Sequence, residues 1–68
     1  RGFPVERGEL ARGDAVFFGS SARSIHHIGI YVGGGRMVHA PRTGDVVSYD
    51  QIDIGYYART YQGARRYS

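Results

Sequence analysis

The sequence contains no cysteine, no lysine and no tryptophan, and only two prolines and one methionine among 68 residues. Without cysteine the chain has no disulfide, no thiolate zinc site and no thiol nucleophile of its own. That absence does not decide the compartment, because an exported domain need not carry disulfides. No apolar run is long enough to span a bilayer, so no transmembrane segment is expected. The start shows no signal-peptide pattern, and Arg1 to Val5 read as the interior of a longer chain. All nine basic residues are arginine, set against six acids for a formal charge of +3. They are scattered, with Arg65-Arg66 the only adjacent pair. Such spacing reads as ordinary surface charge, and a small nucleic-acid-binding β-barrel would need a clustered basic stripe.

What is present is glycine, tyrosine and short β-branched runs. Sixty-eight residues make at most one small domain, which buries roughly 60% of its unfolded surface and is marginal without help. Ala15-Val16-Phe17-Phe18, bounded by Asp14 and Gly19, reads as a largely buried strand. Ile25 to Val32 is apolar and β-branched again. Gly33-Gly34-Gly35 suits a tight turn, and Met37 to Ala40 forms the return strand. Pro41 to Asp45 reads as a further turn, Val46 to Tyr49 as a fourth strand and Tyr61 to Tyr67 as a last one. Asp50 to Tyr57 is ambiguous: Ile52, Ile54 and Tyr56 alternate, but Gly55 interrupts them. The expectation is mostly β, an antiparallel meander of about five short strands. It exposes apolar side chains on both faces, and the chain offers no good helix to cover one.

The hairpin carries the residues that titrate near neutral pH. Strand alternation puts His27, Gly29 and Tyr31 on one face, with Met37 and His39 on the same side of the return strand. With all three glycines in the turn, Val32 faces Arg36 and Gly29 faces His39, so His27 and His39 sit diagonally. A two-residue loop would separate them onto opposite faces. Gly29, lacking a side chain, leaves room for another group to approach. Three roles suit the pair: packed histidines with satisfied nitrogens, a metal site, or acid/base work in which one ring orients the other. Two imidazoles without a third ligand make a poor zinc centre, and no metal or cofactor is expected. His26 points to the opposite face and reads as structural or exposed.

Gly13-Asp14-Ala15-Val16-Phe17-Phe18, His27-Ile28-Gly29-Ile30-Tyr31-Val32-Gly33 and Met37-Val38-His39-Ala40-Pro41 together resemble the NlpC-type bacterial cell-wall cysteine peptidases. Gly44-Asp45-Val46-Val47 and Gly63-Ala64-Arg65-Arg66-Tyr67 continue the resemblance, which runs from about Leu10 to Tyr67. It implies a papain-like α+β fold in which a helical half packs on an antiparallel sheet. It implies hydrolysis of peptidoglycan stem peptides, typically between D-glutamate and the following diamino acid. By motif, His27 matches the catalytic histidine and His39 the third polar residue that orients it.

The family's cysteine lies upstream of the Gly-Asp strand, and this chain begins too late to include it. Ser20 and Ser21 fall in a loop where the family has no nucleophile. The resemblance therefore implies that residues 1–68 are the C-terminal, histidine-bearing portion of one peptidase domain. Such a portion lacks the helical half and is inactive alone. Its expected partners are the stem peptide and a cysteine-bearing N-terminal segment or chain, and its expected setting is the bacterial envelope or exterior. In the family the cysteine-bearing helix lies against the face carrying His27 and His39, so the resemblance implies that its absence removes much of that face's hydrophobic cover. The alternative reading is a non-catalytic wall-binding or interaction module derived from the same fold.

Overall fold

A buried carboxylate, Asp14, ties the first long strand to the last. The computed structural model describes residues 2–40 and 46–67. Among them, six strands form one antiparallel sheet: β1 (Phe3–Pro4), β2 (Ala15–Ser21), β3 (Ser24–Gly33), β4 (Arg36–His39), β5 (Ser48–Gln51) and β6 (Tyr61–Arg66). A 3-10 turn spans Arg7–Glu9, and a short helix, α1 (Gly55–Thr60), precedes β6. The turn expected at Pro41 to Asp45 lies outside the described residues.

The spatial order is β1-β6-β2-β3-β4-β5, so β2 to β5 form the expected meander and β6 leaves it. Instead of extending past β5, the chain crosses back through α1, and β6 pairs with β2. Asp14 helps to fix that return. Both its carboxylate oxygens accept from Arg66, at 2.8 Å each, and Oδ2 also accepts from the Ala11 N–H at 2.9 Å. The Asp14 carbonyl accepts from Tyr31 N–H at 2.8 Å, which joins the same residue to β3. A two-pronged guanidinium–carboxylate bond of this kind sets geometry as well as charge. It holds the Asp14 carboxyl at about 2, against an ordinary 3.8.

Alternation sorts the sheet into two unlike faces. Val16, Phe18 and Met37 are fully buried, join Ile52 and Ala64 in the core, and share their face with His27 and His39. Val5, Leu10, Tyr57 and Tyr61 fold over this core. Arg7 lies 4.4 Å above the Tyr61 ring and donates to the Ile52 carbonyl, clipping the cover in place. Phe18, with no exposed surface, meets Tyr57 edge-on at 5.1 Å and Tyr61 at 5.9 Å. Burying such a ring contributes about 1.5–3 kcal/mol, enough to anchor a six-residue helix that has no side-chain N-cap. Part of the cover over the histidine face thus comes from the chain itself, through α1, which the sequence did not lead us to expect. The exposed isoleucines of β3, Ile25, Ile28 and Ile30, are on the opposite face.

The ambiguous stretch resolves into the end of β5, a bend and α1. Its apparent alternation fails because Ile52 is buried while Ile54 and Tyr56 project outward. Tyr57, one residue off that alternation, is the side chain that turns inward.

The fold gives two expected outcomes. A Cβ at Gly19 would collide with the Ser24 carbonyl and the Ile25 Cα, both backbone atoms in the irregular part of the β2–β3 pairing. Gly19→Ala should destabilise the complete protein by about 1–3 kcal/mol in urea unfolding. Ser20→Ala, at an exposed neighbour, should stay within about 0.5 kcal/mol. The second outcome concerns acid. The native state holds Asp14 ionised more tightly than the unfolded chain, so this stabilisation is complete above pH 3.8 and disappears as pH falls toward about 2. Urea midpoints measured down that range should fall less steeply for Asp14→Asn than for the unsubstituted protein.

Candidate functional site

The β3–β4 hairpin brings the two histidines together by a route that loop length alone does not describe. Its turn is the two-residue Gly34-Gly35, with positive φ at both positions (64° and 77°), as type I′ turns require. Such a turn should have put the rings on opposite faces. Tyr31 pairs with Met37 but Gly33 pairs with Arg36, so Val32 is an unpaired residue in β3. That bulge shifts the register by one and restores a shared face. Carrying the Ile30–Val38 pairing one step further sets Gly29 opposite His39, with His27 on the diagonal.

His27 Nε2 and His39 Nδ1 are 2.6 Å apart. His39 is buried, and its other nitrogen, Nε2, lies 2.8 Å from Asp50 Oδ2 on β5. Asp50 pairs across the sheet with Met37, which brings its carboxylate to the histidine face. Three side chains on three adjacent strands thus form one line of hydrogen bonds. It runs from a partly buried ring through a buried one to a half-exposed carboxylate. His27 Nδ1 has no hydrogen-bond partner among the described residues. His26 is exposed, as expected from its position.

Aromatic rings enclose the line. Tyr57 stacks on His27 at 5.8 Å and 29°, and meets His39 edge-on at 5.3 Å. Phe18 lies 6.0 Å from His27 and 5.1 Å from Tyr57, so the three rings form one cluster. Burial among these rings, and then the neighbouring His39 and His26, push the His27 pKa below its ordinary 6.5. At neutral pH His27 is therefore an uncharged imidazole able to accept a proton. Burial, then Asp50 and Tyr56, push the Tyr57 hydroxyl up, so it stays protonated. A groove of about 390 Å³ opens beside Asp50, between β5 and α1, and is lined also by Arg36, Tyr49, Tyr56 and Tyr57.

Two contributors escaped the sequence reading. Asp50 sits in a strand that runs two residues beyond its expected end, and Tyr57 sits in the ambiguous stretch. A strand drawn through Gln51 would have put Asp50 on an alternating face and raised it as a candidate. The space at Gly29 also differs from expectation. It is taken by Met37, whose sulfur a Cβ at Gly29 would strike, so the glycine serves packing. Ser20 and Ser21 are exposed at the far end of the β2–β3 hairpin, where the Ser21 hydroxyl accepts from Arg23 N–H. Among the described residues no group of three or more His, Cys, Asp or Glu is arranged to hold a metal ion. No helix among them is long and apolar enough to cross a membrane.

The mostly β, six-stranded sheet has counterparts among known protein structures. Residues 1–66 match the NlpC/P60 family, and the chain belongs to it. It is 44% identical over 64 residues to the murein DD-endopeptidase MepH of Escherichia coli (strain K12), covering 93% of this chain and 24% of that protein. It is 37% identical over 68 residues to a gamma-D-glutamyl-L-lysine dipeptidyl-peptidase of Bacillus cereus, covering 97% of this chain and 20% of that one. The crystal structure of an NlpC/P60 family protein from Bacillus cereus superposes with a TM-score of 0.89 at 36% identity. That match covers 98% of this chain and 23% of the other. The chain thus spans about a quarter of the length of the relatives it matches.

If burial holds the His27 pKa down, opening its surroundings should release it. An NMR titration of the ring in the complete protein, with any cysteine that reaches it replaced by alanine, should give a midpoint below 6.5. Tyr57→Ala, which removes the stacked ring, should move that midpoint upward. An unchanged midpoint would exclude Tyr57 burial as the cause.

Proposed function

We propose that this chain is the C-terminal, histidine-bearing portion of a peptidoglycan stem-peptide endopeptidase domain. Its nucleophile would be a cysteine supplied by a preceding segment or a partner chain. The observation that carries this reading is the 2.6 Å bond between the two rings, which leaves His27 Nδ1 without a partner among the described residues. Membership of a family whose relatives include a murein endopeptidase and a glutamyl-lysine dipeptidyl-peptidase supports the substrate class. The bacterial envelope is the corresponding place of action.

In this mechanism His27 Nδ1 takes the proton of the cysteine thiol, and the thiolate attacks the scissile carbonyl carbon. The tetrahedral intermediate collapses as the imidazolium returns that proton to the leaving amine. The products of this half-reaction are an acyl-thioester and a released C-terminal fragment with a free amine. Water, deprotonated by His27, then attacks the thioester, releasing the carboxylate product and restoring the thiol. His39 holds the His27 ring in line throughout. Tyr57 covers one face of the ring with Phe18 beside it, which supports a neutral base before the thiol arrives.

Residues 1–68 without such a thiol should bind wall material at most. In the complete protein, His27→Ala should lower kcat/KM on purified muropeptides by at least about 10²-fold. Circular dichroism should show the fold retained. Undiminished hydrolysis by that variant would overturn the assignment. Binding of peptidoglycan without cleavage by the unsubstituted complete protein would favour a non-catalytic wall-binding module.

A further inference from the structure

The hydrogen-bond line does not end at the second histidine. His39 Nε2 meets Asp50 Oδ2 at 2.8 Å, and the His39 side chain is fully buried while that of Asp50 is 49% exposed. The geometry points to Asp50 as a positioning residue that sets the tautomers of both histidines and so delivers a bare Nδ1 on His27. This rests on the thiol-hydrolase reading given above.

Donors and acceptors fix the proton positions along the line. An ionised carboxylate only accepts, so the His39 nitrogen facing it must carry the proton. A neutral His39 protonated at Nε2 has a lone pair at Nδ1, which faces His27 Nε2 at 2.6 Å. That short contact needs one proton, and His27 must provide it from Nε2. The His27 proton is then spent, and Nδ1 is left as an acceptor with no partner among the described residues. Each step follows from the one before, and the first is Asp50.

Remove the carboxylate and the order is no longer specified. His39 could place its proton on Nδ1 and donate toward His27, which would then accept at Nε2 and carry its own proton at Nδ1. In that state the nitrogen meant to receive the thiol proton already holds one. Asp50 touches neither substrate nor thiol. Its place on β5 opposite Met37 holds the oxygen in reach.

The test reads tautomers directly. Proton–nitrogen correlation spectra of the imidazoles are recorded on the complete protein, with any cysteine that reaches His27 replaced by alanine. The pH is set where both rings are neutral. Both His27 and His39 should carry the proton at Nε2. Asp50→Ala should convert His27 to a mixture with a substantial Nδ1–H population. Asp50→Asn, whose amide oxygen still accepts, should restore the Nε2–H forms. With the cysteine present, Asp50→Ala should lower kcat at least about 10-fold with KM little changed. That is well short of the about 10⁴-fold expected when a carboxylate bonded directly to the base is neutralised. His27 protonated at Nδ1 in the unsubstituted ring pair would overturn the inference. Tautomers unmoved by Asp50→Ala, or moved equally by Asp50→Ala and Asp50→Asn, would also overturn it. Because the spectra require neither substrate nor turnover, this failure is separate from a failure to cleave stem peptides.

Discussion

The pairing of Asp14 with Arg66 is the constraint on which the remaining architecture depends. It joins the turn before β2 to the far end of β6, two points 52 positions apart in the chain. β6 must come back to β2 for that bond to form, and α1 is carried with it. Tyr57 then lies under Phe18 and beside His27. A charge pair at one end of the sheet thus determines how dry the imidazole is in its middle. Two long charged side chains could not do this by attraction alone on an open surface, where such pairs contribute little. Here the carboxylate is buried, takes three donors and has lost its choice of partners.

The site joins two environments along one line of hydrogen bonds. Burial at His27 favours the neutral ring, and beyond His39 a half-exposed carboxylate closes the line. A base must be neutral before reaction, and burial supplies that. The aromatic cover and the carboxylate come from side chains on β2, α1 and β5. The sheet's contribution is spacing. Adjacent strands carry the three groups at intervals that imidazole and carboxylate just bridge.

Much of this was legible in the residues. Turn glycines, β-branched runs and strand alternation located the β2–β3–β4 core. The shared face of His27 and His39 was expected from a three-residue turn, whereas a two-residue turn and the bulge at Val32 produce it. The last strand was also visible, but its neighbour was not. Pairing across 50 residues depends on Arg66 finding Asp14, and local pattern holds no record of that. Asp50 and Tyr57 were hidden for a different reason. The segment from Asp50 to Tyr57 has the period of a strand and the residues of a strand, yet tertiary packing on Phe18 makes its second half helical. The cover over the histidine face was missed with it, since a six-residue helix leaves too short a period to read.

The unpaired Val32 has a meaning for how this hairpin can change. A side chain's face depends on whether the count of residues to the turn is odd or even, so the arrangement is a matter of parity. Gly34-Gly35 fixes one parity and the bulge inverts it, leaving the two rings in step. A single residue gained or lost in the turn would turn His39 to the far side of the sheet. The same change accompanied by loss of the bulge would leave it where it is. The hairpin thus has two interchangeable ways to keep count, and a lineage could pass between them only by altering both.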